Sequence, residues 1–410
     1  MHDERYHALD NLRALVMWLG IVLHVAVQHM AGPSDLPWRD SQTTPWADLL
    51  LVWIHNFRVP VFFILAGFFA AMLVARSDVR GMISHRIKRI ALPFALFWPL
   101  LFVAMSLLIN VYIQLMKTGQ PGLDLSLLGK GTDTRAPGGD RPFINTLHLW
   151  FIYYLLLYCL LALPVSRLMA KLGSGFKRNL SGIGDTLIGH WWGLLLLSVP
   201  LALVGSAYPY GMVTPDGSFV PNIYEFLHSG VFFLVGWRCY LCRESLFAAW
   251  NRYLWRLLTA AILFFIASLV CFEIAKQGVL PQWQGRLLIA YVYNCSTWLW
   301  SFFFIGLFLR YASGNNRVMR YLSDSSYWVY LVHMLGTLGF GILLYQAPLS
   351  ALEKMAVNTV LTSLACLISY HLMVRYSVIG KLLNGRKYPR NQSGQVQQGT
   401  GAPDLNENKG

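Results

Sequence analysis

Arg13 and His24 stand eleven residues apart in the first apolar run of the chain. On a helix that spacing is three turns plus about 20°, so both fall on one face, roughly 16 Å apart along the axis. His55 and Arg58, three residues apart in the second run, also share a face. A neutral imidazole is a general base that can take the proton of an alcohol attacking an activated acyl group. A guanidinium nearby can face the developing oxyanion or hold a carboxylate. Arg86-x-x-Arg89-Ile90-x-x-Pro93 sets two guanidiniums just ahead of a helix, a pattern suited to clamping phosphate because each fork binds it bidentately. Together these residues describe acyl transfer, with a donor bound from one side of a membrane and an acceptor from the other.

Each has a blander reading. Ionisable groups within a span are costly and mark functional sites by default. Yet Arg13 can snorkel to the headgroups, His24 can bond a neighbouring helix, and Arg86 and Arg89 can simply fix orientation. Arg58 lies too deep to snorkel and calls for a water-filled cavity, a carboxylate or an anionic ligand. His148 opens the fourth run at an interface, in His148-Leu149-Trp150-Phe151. Glu225, His228, Glu273 and His333 are further polar residues at or near the ends of runs. A transporter or flippase for an anionic solute or glycan intermediate, with Arg13 and Arg58 as its binding site, is the alternative. A non-catalytic scaffold is a third reading.

The elements that must position these groups are transmembrane. The 410 residues are 56% hydrophobic and 13% charged, about half the charged share of a soluble domain. Fifteen Trp, 20 Tyr and 24 Phe suit aromatic belts at two interfaces. Ten runs are long enough to cross a bilayer: 9–30, 46–75, 90–116, 147–166, 188–206, 222–241, 255–275, 287–309, 326–346 and 352–373. With the N-terminus inside, 23 of the 33 Lys and Arg fall on the inner side and eight on the outer; Arg13 and Arg58 lie within helices. That asymmetry predicts an all-α polytopic protein with both ends in the cytoplasm. It also accounts for the net charge of +14 without nucleic acid, which is not an expected partner.

Residues 31–45 and 117–146 form outer loops rich in Gly, Pro, Asp and Thr. The expected organisation is a membrane domain over 1–388 and a disordered cytoplasmic tail over 389–410, rich in Gln, Gly and Asn. The first run lacks a small-residue cleavage pattern and reads as a retained span rather than a signal peptide. Six cysteines are scattered, and the lone Cys239-x-x-Cys242 lacks partners for a metal or redox site. No metal and no permanently bound cofactor is expected. No internal repeat supports a two-fold transporter architecture.

Several of these segments, in order, resemble the acyltransferase-3 family of membrane acyltransferases. Asp10-x-x-Arg13 followed by His24 is similar to its opening motif. Phe62-Phe63-Ile64-Leu65-Ala66-Gly67-Phe68 resembles its second, with Ala66 in place of the usual Ser. Arg86-x-x-Arg89-Ile90-x-x-Pro93, His148-Leu149-Trp150-Phe151 and Ser325 through His333 resemble later motifs, and the likeness spans about residues 6–375. Phe57-Arg58-Val59-Pro60-Val61-Phe62-Phe63, without an added periplasmic domain, looks most like the glucan biosynthesis branch. The resemblance implies a multi-pass protein of the bacterial inner membrane. It implies transfer from cytoplasmic acyl-CoA, with succinyl-CoA as the donor, to a hydroxyl of a periplasmic glucan or another glycan. His24 would be the base, with Arg13 and Arg58 lining the site. Arg86 and Arg89 would lie at the CoA phosphates, and His148 with Trp150 on the acceptor side.

Overall fold

The computed structural model describes residues 6–33, 36–124, 135–136, 139–140, 144–208, 211–277, 281–314, 316–385 and 388. The expected tail 389–410 and much of the 117–146 loop, Lys130 and Arg141 included, lie outside the described residues. The architecture is helical, apart from one antiparallel pairing of two-residue strands, Arg135–Ala136 with Gly139–Asp140. Among the described residues eight helices are long and apolar enough to cross a membrane, or nine if one bent pair counts as a span.

α1 (His7–Ala26) runs on into a 3-10 turn, and α2 (Pro45–Arg76) continues through Pro60. α3 (Val79–Arg86) joins α4 (Leu92–Thr118) through a π-helical turn over Ile87–Ala91. α5 (Trp150–Lys171) follows a 3-10 turn over Leu147–Leu149. α6 (Ser174–Gly189) and α7 (Trp191–Gly205) meet at a bend of 110°. The apolar run 188–206 therefore does not make one straight helix. Its first residues finish an amphipathic helix, with Lys177 and Arg178 beside outward-facing Phe176, Leu180 and Ile183. α8 (Ile223–Leu241) is not among the eight apolar helices, since Glu225, His228 and Arg238 interrupt it. α9 (Arg243–Lys276), α10 (Gln282–Tyr311), α11 (Arg317–Leu344), α12 (Ala351–Ser369) and α13 (Val378–Asn384) complete the chain.

α10 is the buried spine, with Trp298 and Phe302 fully enclosed. α4 and α9 lie outside it, turning Leu100, Val103, Leu263 and Ile266 outward. In a bilayer such a surface meets lipid tails, which are as apolar as leucine.

Two helix pairings set the frame for the site. α1 and α11 run parallel: Asn11 donates to the Ala312 carbonyl just before α11 (2.9 Å), and Gln28 donates to Thr337 O near its far end (3.1 Å). α2 and α8 meet through glycine. A Cβ on Gly67 would collide with the Phe233 carbonyl, and one on Gly236 with the Ile64 carbonyl. Only small residues let two backbones approach so closely in a membrane, which explains the glycine in the Phe62–Phe68 segment.

The loop between α1 and α2 is pinned. Lys354 Nζ bonds Asp40 Oδ1 at 3.0 Å and the Tyr345 carbonyl at 2.6 Å, both charged side chains being 2% exposed or less. Asp40 N donates to Gln28 O, and Thr44 N to His29 O, tying the loop to the end of α1.

Candidate active site

α1 presents Val16, Gly20 and His24 at successive turns of one face. Arg58 reaches this face from α2, donating from Nε to Val16 O at 3.0 Å. Its guanidinium occupies the space over Gly20, where a Cβ would collide with Nη2. Arg58 is buried, with its guanidinium 5.8 Å from the Phe62 ring centroid. Among the described residues no carboxylate pairs with it. A buried, unpaired guanidinium is expensive, so this one is suited to an anionic group of a ligand.

One turn above Gly20, three imidazoles meet. The His24 and His333 rings are 5.2 Å apart, as are those of His148 and His333. His333 Nδ1 faces the carbonyls of Val329 (3.0 Å) and Tyr330 (2.9 Å). Carbonyls only accept, so the proton is on Nδ1 and Nε2 holds the lone pair. His148 is fixed the other way round, with Nε2 facing Tyr330 O (3.1 Å) and Leu331 O (3.2 Å). Among the described residues His333 Nε2 and His148 Nδ1 are buried without partners. The half-buried His24 ring has no hydrogen-bond partner among the described residues. It is the one ring of the three that no backbone carbonyl fixes.

The turn that carries His148 is held on both sides. Tyr330 donates its hydroxyl to the His148 carbonyl (2.7 Å), and Thr146 donates twice to Gly217 O. Leu147 sits at φ 56°, a left-handed conformation that costs a non-glycine residue roughly 1–2 kcal/mol. Such strain persists where the surroundings over-determine it.

Arg13 is not part of this cluster. It pairs with Asp10 at 3.1 Å, lies 5.7 Å from the Phe69 centroid and remains partly exposed. Arg86 is within electrostatic reach of it, and the Arg86 guanidinium meets the Cys159 thiol. Arg86 Nε and the Tyr327 hydroxyl are both buried without partners among the described residues. Arg89 points elsewhere: it donates to the carbonyls of Lys381 (2.6 Å) and Leu382 (2.9 Å) near the end of α13, where a cation also suits the helix dipole. The π turn between the two arginines changes the helical spacing, so they serve different neighbours.

The functional groups therefore form two clusters, joined by facing stripes of α1 and α11. Arg13, Gly20 and His24 lie along one stripe; Tyr327, Tyr330 and His333, at three-residue steps, lie along the other. His333 sits in the middle of its helix, because α11 starts nine residues before the apolar run from 326 would suggest. It is the site residue least evident from the sequence. The available signal was its place at the end of the Ser325–His333 segment.

Trp150 lines a separate cavity with His55 and His228, between α2, α5, α8 and α10. Glu225, 1% exposed, accepts from Tyr154, Tyr208 and the Asp216 amide. Glu273 pairs with Lys276 on the surface. All six cysteines are free. Burial and a hydrogen bond to Asp185 push the Cys242 thiol up to about 12, an unreactive value. Among the described residues no group of three or more His, Cys, Asp or Glu is placed to hold a metal.

The acyltransferase domain profile of the acyltransferase-3 family matches residues 6–374. Glucans biosynthesis protein C of Salmonella paratyphi B is 24% identical over 406 residues, covering 95% of this chain and 97% of its own. The protein of that name from Shigella dysenteriae serotype 1 is 25% identical over 360 residues, covering 82% and 83%. That of Escherichia coli is also 25% identical over 360 residues. No solved structure matches.

Proposed function

The chain belongs to the acyltransferase-3 family, and from that premise we propose that it is a membrane O-acyltransferase that moves a succinyl group from cytoplasmic succinyl-CoA to a hydroxyl of a periplasmic glucan. Glucan as the acceptor is supported by the relatives, which are named for glucan biosynthesis. The observation that carries the chemistry is His24, whose ring has no hydrogen-bond partner among the described residues, meeting His333 at 5.2 Å one turn above Arg58.

In this reading the acceptor hydroxyl attacks the thioester carbon and His24 Nε2 or Nδ1 takes its proton. Arg58 faces the oxyanion of the tetrahedral intermediate. As the intermediate collapses the new C–O bond remains, the C–S bond breaks, and the proton passes from His24 to the leaving thiolate. Arg13 and Arg86 hold the donor's phosphates at the inner end of the α1–α11 stripes. The acyl arm lies along the roughly 16 Å between the two clusters.

Sidedness requires α1 and α11 to enter from the same side, since they run parallel. That parity supports eight or ten crossings, not nine. α2 and α8 are also parallel: His55 and His228 line one cavity, while Ile64 and Gly236 touch eight or nine residues further on. If α8 crosses, the α6–α7 pair must cross before it, which favours ten. The excess of Lys and Arg on the side of the N-terminus supports both ends inside. The reading assigns the protein to the bacterial inner membrane.

Proteoliposomes with succinyl-CoA enclosed and glucan outside test the proposal. Mass spectrometry should find succinylated glucan with the wild type and none with His24→Ala. Equal product from the variant would remove His24 as base. Solute movement without donor would favour a transporter.

A further inference from the structure

We infer that the cavity between Trp150, His55 and His228 is a subsite for an uncharged saccharide ring, the portion of the acceptor next to the hydroxyl that reacts. The inference deepens the acyl-transfer reading and rests on it for the identity of the ligand.

The lining is the first reason. His55, Asn56, His228 and Thr297 supply uncharged polar groups, and Trp150 and Pro60 supply apolar surface. No Asp, Glu, Lys or Arg lines this cavity among the described residues. A sugar ring has hydroxyls around its edge and C–H groups on its faces. Neutral hydrogen-bonding groups beside an aromatic plate complement both, and a few placed polar groups in an apolar cavity are what fix a ligand's orientation. The contrast with Arg58, Arg13 and Arg86 is chemical: anions are met along the α1 stripe, and neutral groups here.

The second reason is that the two imidazoles are set by the protein but not used up. His228 Nε2 meets Asn294 Oδ1 at 3.0 Å, and His55 bonds the Val213 backbone. Each imidazole is half-buried with its other nitrogen left over. Asn56 is locked to α10 through the Tyr293 carbonyl, Thr297 and Ser296.

Position is the third. His55 stands one turn before Arg58 on the same face of α2, so the cavity adjoins the reacting centre. Trp150 follows His148 by two residues. The far wall is Val213 and Pro215. Glu225 holds that loop by accepting from the Asp216 amide (3.1 Å), and so acts as a positioning residue.

The test uses full-length protein in nanodiscs with a linear β-linked glucose hexamer as probe and a glucuronic acid hexamer as the charged control. Binding is measured by calorimetry, and KM by succinyl transfer. Wild-type protein should bind the neutral hexamer and not the acidic one. His55→Gln with His228→Gln should weaken Kd and raise KM for the hexamer at least tenfold. Pro215→Trp, which fills the cavity from the loop, should do the same with an unchanged melting temperature. Wild-type Kd and KM in both variants, or equal binding of the acidic hexamer, would overturn the assignment while succinyl transfer stands. Neutral binding lost in the variants, in a protein that transfers no succinyl group, would support the cavity while the acyl-transfer reading fails.

Discussion

Arg58 occupies the space that a side chain at position 20 would need: its guanidinium lies directly over Gly20 of the first helix. This contact fixes a charge one helical turn from His24 without spending a carboxylate on it.

Gly20→Ala should therefore displace the guanidinium while leaving an acceptable helix, since alanine is the better helix former. Loss of one positioned oxyanion donor typically costs 10²–10³ in kcat. The expected outcome is a fall in kcat of that order with little change in melting temperature. Wild-type kcat would show that Arg58 does not act on the reacting group.

His333 Nε2 is a buried lone pair facing His24 and His148. His333→Gln keeps a polar group but removes the ring that meets His24. Steady-state assays should give about a 10²-fold loss in kcat, within the range of general acid–base effects, and the acid limb of the pH–rate profile, set by His24, should move. A variant that changes only melting temperature would make His333 a packing residue.

Arg86 and Arg89 should now behave differently. Arg86 lies within electrostatic reach of Arg13 and Tyr327 and has an unused Nε, whereas Arg89 is engaged with the end of α13. Arg86→Gln should raise the donor KM about tenfold or more with a smaller effect on kcat, because contacts remote from the reacting carbon mostly supply binding. Arg89→Gln should mainly lower the melting temperature. An unchanged donor KM in Arg86→Gln would refute its contact with phosphate.

Lys354→Met leaves Asp40 charged and enclosed. Breaking a buried pair in this way costs roughly 3–5 kcal/mol. Thermal denaturation in detergent should show a large drop, much of it recovered when Asp40→Asn is added. If the double variant is no more stable than Lys354→Met, the pair is not what holds the loop to α12.

Much of the site was legible because charge stands out against apolar sequence. Arg13, His24 and Arg58 announced themselves by their cost in lipid, whereas His148, read at an interface, did not. Periodicity placed Arg13 and His24 on one face of α1, but it could not show that they belong to different clusters, since the partners of each come from α11, α5 and the α3–α4 turn. His333 was underrated for the same reason: its meaning comes from two other rings, 309 and 185 residues away in the chain. Hydropathy placed eight of its ten runs on helices long and apolar enough to cross a membrane, but it did not find the 110° bend at His190, because apolar composition does not record a change of direction.

The parallel pairing of α1 with α11 has a consequence in time. Gln28 and Thr337, which bond across that pairing, are 309 positions apart. At 5–20 residues per second, a ribosome takes about 15–60 s to cover that distance. For all of that interval the first helix waits in the bilayer with His24 unmatched by His333, the ring it meets in the finished fold. Any chain abandoned before the eleventh helix is inserted without that pair.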